Sequence, residues 1–399
     1  MKNYKHHAAV IIALPAVLFL SSCNAGQANV ASTQQPPLFV SAPGSPVSMT
    51  CGPGTVLVGD LNSDTRPDLI VGCEQTRALT VLLGTGGGQF RASNPITVPD
   101  PPGDLALGDV NGDNHPDLAM NSHDSYGVAL MLGDGKGGLT LSTNSPIVMK
   151  EGQHPHTHGL ALGDLNGDRK LDLVTVNNAD NDLSVAFGDG RGGFTRAPAT
   201  FAVGPSPYPL TLGDVNSDGR VDIIATASAT GPLRAQQLPM SFALTLLIND
   251  GRGGFRASRL PVRTAAPWFA ALGDLNGDHK PDLVATHHDQ GKLTVLLGDG
   301  AGSFKESSNS PFDFGRNVFQ VLLADVNRDG RDDALAAGGD GVRIILGDAR
   351  GNFRPAPGSP YLTGKGVWRL AVADMNADGK LDVVTSNLES QNISIMLGQ

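Results

Sequence analysis

One nine-residue pattern, Asp-x-Asn-x-Asp-x-x-x-Asp, occurs seven times in this chain, starting at Asp60, Asp109, Asp164, Asp214, Asp274, Asp325 and Asp374. The intervals between copies are 49, 55, 50, 60, 51 and 49 residues. A second motif follows at a near-constant distance: "GDGKGGL" from Gly133, "GDGRGGF" from Gly188, "NDGRGGF" from Asn249, "GDGAGSF" from Gly298, "GDARGNF" from Gly347 and the looser "GTGGGQF" from Gly84. Two motifs in register at a period near 50 residues mark a repeat architecture.

Each unit reads as four short strands. In the third unit these are "GLALG", "LDLVTV", "LSVAF" and "FTRAPATFAV", rich in β-branched residues and bounded by turn chemistry. Charged residues are only 17% of the chain and glycines number 51, which leaves little material for long amphipathic helices. Seven four-stranded units predict an all-β, seven-bladed β-propeller over residues 37–399. A linear solenoid is the structural alternative, and it would need distinct polar caps. The seventh unit stops at "MLGQ", before its glycine turn. "FVSAPGSP" from Phe39 matches "FRPAPGSP" from Phe353, and each begins 21 residues before an acidic loop. The N-terminal strand is therefore expected to complete the last blade and close the ring.

Oxygen ligands at alternate positions of a tight loop suit a hard cation such as Ca²⁺. The expected side-chain ligands are Asp60, Asn62, Asp64 and Asp68; Asp109, Asn111, Asp113 and Asp117; Asp164, Asn166, Asp168 and Asp172; Asp214, Asn216, Asp218 and Asp222. The remaining loops supply Asp274, Asn276, Asp278 and Asp282; Asp325, Asn327, Asp329 and Asp333; and Asp374, Asn376, Asp378 and Asp382. Up to seven structural Ca²⁺ ions are expected, with the carbonyl of position 7 as a further ligand and the basic residues of positions 6 and 7 pointing outward. Position 6 should need positive φ, so the first loop, with β-branched Thr65 there, is expected to bind weakest. The alternative is a solvated acidic turn held by Asx hydrogen bonds.

The "GDLNGD…DL" and "GDGxGxF" motifs resemble the FG-GAP/VCBS repeats of integrin α-chain propellers and of many bacterial exported proteins, over about residues 37–399. The resemblance implies a Ca²⁺-stabilised propeller, often used for adhesion or ligand binding, with the calcium positions falling on the four side chains of each loop.

The N-terminus reads as a targeting segment. Lys2 and Lys5 precede a 13-residue apolar run, residues 8–20, too short to span a bilayer and suited to a signal-peptide core. "LSSC", ending at Cys23, resembles a bacterial lipobox, so residues 1–22 are expected to be removed and Cys23 lipidated. Secretory cleavage that leaves a free cysteine is the alternative. By resemblance to the sorting rule of some two-membrane bacteria, Asn24 is not expected to retain the protein at the inner membrane, and residues 23–36 read as a flexible tether. The expected location is the bacterial cell envelope, at the outer membrane or cell surface, with membrane contact through the anchor alone. An exported compartment permits a disulfide between Cys51 and Cys73.

A formal charge of −10 without a basic cluster excludes a nucleic-acid reader. A monomer is expected. Opposite the acidic loops, one face should gather His123, His154, His156, His158, His287 and His288. Six residues before the acidic loop stand His158, Tyr208, Trp268, Phe319 and Trp368, against Gly54 and Gly103 in the first two blades. These rings should surround the mouth of the central channel, either packing on neighbouring blades or forming a rim that stacks on a sugar or peptide. Neither a nucleophile elbow nor a zinc-protease motif occurs. The reading is an anchored binding or adhesion module for a glycan or protein ligand. The alternatives are a polysaccharide lyase or hydrolase using the histidine-rich face, and an envelope scaffold.

Overall fold

The structure, a computed structural model, describes residues 36–399 except 154, 228–243, 261, 263–266, 316 and 351. Cys23, His154 and residues 228–240, which lengthen the fourth repeat between its second and third strands, lie outside the described residues. Among the described residues no helix is long and apolar enough to cross a membrane.

Seven antiparallel sheets follow one another along the chain. The third blade is typical. Its first strand, Thr157–Gly163, pairs with Asp172–Asn177, which pairs with Asp182–Gly188, which pairs with Phe194–Arg196. The first strands are the inner ones. Each neighbours the first strand of the next blade, and Val367–Ala373 of the seventh returns to Thr55–Gly59 of the first, so the ring is closed.

The fourth strand, expected as one run, is broken in six blades. In the third blade Phe201–Ala202 rejoins the third strand after residues 197–200 leave the ladder. Proline explains the break, because a residue without an N–H ends pairing: Pro198 stands there, as Pro146, Pro311 and Pro360 do in other blades. The fourth blade has no proline in this run, and Phe255–Leu260 is continuous.

Seven apolar clusters lie between consecutive blades, each built from strands of two neighbours. The last blade is completed by Phe39–Ser41, with Phe39 opposite Gly398 and Ser41 opposite Met396. Phe39 is 3% exposed and meets the Tyr361 ring of the sixth blade edge-on at 5.5 Å. Tyr361 Oη accepts the Leu38 N–H at 2.9 Å. Cys51 and Cys73 are joined as a disulfide with Cα atoms 6.1 Å apart, tying the segment before the first blade to the end of its second strand.

Closure by this strand has a measurable weight. Phe39→Ala should lower unfolding free energy by about 3–5 kcal/mol in urea titration, the usual cost of emptying a large aromatic site. Val40→Thr on the exposed side of the same strand should stay within about 0.5 kcal/mol.

Candidate functional site

The acidic loops lie together at one end of the propeller. In all seven loops the position-1 aspartate accepts the N–H groups of positions 5 and 6, the position-3 asparagine Oδ1 accepts that of position 5, and the position-5 aspartate accepts that of position 7. In the third loop these bonds are 3.1, 2.8, 2.9 and 3.0 Å. This winding turns the oxygens of positions 1, 3 and 5 into the loop.

The turn needs positive φ at position 6 in every copy, from 62° at His279 to 83° at Gly330. It also needs positive φ at position 4, which the motif alone does not reveal. Three loops place glycine at position 4 and three at position 6; the first has Ser63 at φ 60° and Thr65 at φ 67°, with no glycine at either. Its strain is the greatest of the seven.

The position-9 aspartates sit apart from the exposed loop. All seven are 0% exposed. Asp172 Oδ2 accepts the Leu165 N–H at 2.8 Å and its Oδ1 the Gly188 N–H at 2.9 Å, and the same pair of bonds recurs in each blade. Each therefore pins position 2 of its loop to the end of the third strand. That strand must come very close: a Cβ on Gly188 would lie 2.2 Å from the Leu171 carbonyl oxygen. The first glycine of the second motif is thus a close-approach residue as well as the start of a turn. Burial pushes the carboxyls of Asp172, Asp282 and Asp382 up to about 6 and that of Asp333 to about 7, with the N–H bonds opposing and the neighbouring loop carboxylates adding to the rise.

The position-7 cations do not simply point outward. Arg66, Lys170, Arg220, Lys280, Arg331 and Lys380 fold back on the position-5 carboxylates at 2.5–3.7 Å. Opposite charge two residues away draws them there, as exposed and weakly stabilising pairs. Among the described residues no three His, Cys, Asp or Glu side chains are gathered as a metal site as the chain stands. Still, the donor set of each loop fits a hard cation. It is all oxygen, and each carboxylate oxygen that accepts one N–H retains a lone pair.

The other end holds the rings. His158 and Tyr208 are 4.0 Å apart between centroids, Tyr208 and Trp268 5.2 Å, Trp268 and His288 4.9 Å, His288 and Phe319 4.2 Å, and Phe319 and Trp368 4.3 Å. They form a continuous arc over blades three to seven, and Tyr208, Trp268, His288, Phe319 and Trp368 stay half-exposed. The cause is local. The inner strands slip register between His158 and Leu160, Pro207 and Leu210, Val318 and Val321, and Val367 and Arg369. A bulge re-aims its side chain, and here it falls at the ring residue. His287 does not belong to this face. It ends a strand buried on both sides, is 1% exposed, and its Nε2 lies 2.8 Å from Thr294 Oγ1.

Under the arc, Arg369 of the seventh blade crosses the axis. Its Nη2 lies 3.0 Å from Asp104 Oδ1 in the second blade, and its guanidinium carbon sits 4.7 Å from the Phe269 ring centroid in the fifth. Asp104 Oδ2 also accepts the Gly159 N–H at 2.8 Å. Burial pushes the Asp104 carboxyl up, but Arg369 and the N–H bond outweigh it and hold the pKa below its ordinary value. Neither residue was a sequence candidate. A signal exists: both stand five residues before their acidic loops, where other blades have Thr55, Gly159, Pro209, Phe269 and Gln320. A cavity of about 210 Å³ beside the outer strand of the third blade, lined in part by Lys150, Ser184 and Arg196, includes no ring of the arc.

The FG-GAP-like repeat model matches residues 60–120, 109–175, 164–225, 274–336 and 325–385. The chain belongs to the FG-GAP-like repeat family. Each match runs from one acidic loop into the second strand of the next blade, so it takes in two consecutive acidic loops. No curated protein matches the chain. Among solved structures it is similar to an Agrocybe aegerita lectin described as recognising non-reducing terminal N-acetylglucosamine, with 17% identity, TM-score 0.56, and 86% of this chain and 87% of that one covered. It is also similar to BBS1N, solved in complex with ARL6DN, at 12% identity, TM-score 0.60, and coverage of 91% and 98%. A streptogramin B lyase is similar at 14% identity, TM-score 0.56, and coverage of 89% and 97%. At these identities the likeness shows the propeller fold, which fits a binding module.

Two substitutions probe this FG-GAP propeller. Asp172→Ala leaves the Leu165 and Gly188 N–H groups without acceptors and should cost about 2–5 kcal/mol in denaturant, with or without calcium. Arg369→Ala leaves the partly buried Asp104 carboxylate without its counter-charge and should cost about 2–3 kcal/mol, with part of the loss recovered in Arg369→Ala/Asp104→Asn.

Proposed function

We propose that the protein is a lipid-anchored, calcium-stabilised propeller of the bacterial cell envelope that holds a glycan on its aromatic arc. The observation that carries this reading is the arc itself. Five half-exposed rings adjoin one another across four blades, above the Arg369–Asp104 pair. Sugar rings present flat apolar C–H faces, and exposed aromatic rings are their natural stacking partners. The lectin among the similar structures, described as recognising non-reducing terminal N-acetylglucosamine, shares this fold. Anchoring rests on the lipobox-like segment ending at Cys23. In the loops, the side chains of positions 1, 3, 5 and 9 with the position-7 carbonyl would hold Ca²⁺, which would neutralise three carboxylates per loop and fix the hairpins to which they belong.

Binding is tested on a glycan array followed by titration calorimetry. Trp268→Ala and Trp368→Ala should each weaken a hit by about tenfold or more, about 1.4 kcal/mol, with melting temperature little changed. Unaltered affinity in both, or capture of peptides with no glycan bound, would sink the reading. Calcium is tested by thermal melting. At tenfold excess over Kd each filled loop adds about 1.4 kcal/mol, so millimolar Ca²⁺ should raise Tm by several degrees over chelator. Asp168→Ala should diminish that rise while leaving the chelated protein almost unchanged, in contrast with Asp172→Ala. Identical melting curves with and without Ca²⁺ would exclude structural calcium.

A further inference from the structure

Two blades bring three histidines together at one end of the arc. His156 and His158 alternate along the segment that enters the third blade, yet their Nε2 atoms are 3.0 Å apart. His123, from the second blade, places its ring centroid 4.5 Å from that of His158 and 6.1 Å from that of His156; the third side of the triangle is 4.6 Å. Imidazoles sharing one tetrahedral ion, with metal–nitrogen bonds of about 2.0–2.1 Å, have centroids about 5 Å apart. One proton can sit between the two Nε2 atoms, and the other ring nitrogen of His158, Nδ1, is buried with no hydrogen-bond partner. Asp104 faces His158 and Asp124 faces His156, and both carboxylates favour a cation, while Arg369 opposes one.

We propose that His123, His156 and His158 form a transition-metal site of the Zn²⁺ class. Nitrogen donors separate it from the oxygen-lined calcium loops. The three nitrogens are not converged as the chain stands, so closure requires the half-exposed His123 imidazole to turn toward the other two. Three protein ligands leave a fourth position open. The site adjoins Tyr208, 4.0 Å from His158, where a ligand on the arc would end. The inference does not depend on the glycan reading.

The test uses the full chain in millimolar Ca²⁺. Titration with ZnCl₂ should show a single site, and Co²⁺ should give the intense visible absorption of four- or five-coordination. His123→Ala and His156→Ala, both at half-exposed positions, should each weaken Zn²⁺ binding by about tenfold or more. Their Tm and near-ultraviolet circular dichroism should match the parent, which separates ligand loss from misfolding. His279→Ala, on an exposed loop at the opposite end, should bind as the parent does. Absent binding, binding unaffected by both His123→Ala and His156→Ala, or an octahedral Co²⁺ spectrum would overturn the proposal.

Discussion

A buried aspartate accepts one N–H from the start of its own acidic loop and one from the end of the third strand, and this occurs in every blade. That carboxylate joins three strands of a blade around one point. It is fully buried, so the cost of removing its charge from water is offset only by those two bonds and their geometry. The rest of the loop end follows from it. Position 2 turns inward, and its side chain is buried in six blades. The following blade then reaches across, with the Gly137 and Gly192 N–H groups bonding to the Leu61 and Val110 carbonyls of the preceding loops. The acidic loops are thus part of the packing between blades, and their winding is complete in hydrogen bonds before any cation is considered.

The opposite end obeys a different constraint. Inner strands of a closed ring crowd around the axis, and a propeller must fill or plug that space. Here bulges turn large rings into the mouth, and an arginine–aspartate pair spans the channel below them. The gap left by Gly54 and Gly103 falls on blades one and two, so the arc is open on one side. A lectin, a chain solved with a protein partner and a lyase share this fold, so architecture alone does not select among binding and catalysis. The selection lies with the side chains at the mouth.

Much was legible because each blade repeats the same solution. Seven copies of one spacing specify the blade count, the acidic hairpins and the face on which they lie. The match of Phe39–Pro46 to Phe353–Pro360 specifies the strand that completes the last blade, and Phe39 indeed packs on Tyr361. Positive φ at position 6 also follows from glycine and asparagine at some copies of it. Less legible was position 4, because glycine shifts between the two positions from loop to loop and neither column alone shows the rule.

Periodicity reports what recurs, and so the sequence by itself determined the fold, the loops and the ring-bearing positions. Contacts made once, between blades distant in the chain, were decided by tertiary structure. Arg369 and Asp104 meet across 265 residues because the ring closes; their shared place five residues before an acidic loop puts both near the axis but does not say that they pair. His123 joins His156 and His158 because two neighbouring blades present their loops at the same end. His287 and His288 are adjacent in sequence, yet one is buried on a strand and the other stacks on Phe319, because a strand end and the turn after it face different surroundings. The bulges that aim Tyr208, Phe319 and Trp368 are likewise a product of pairing register, a property of two strands together.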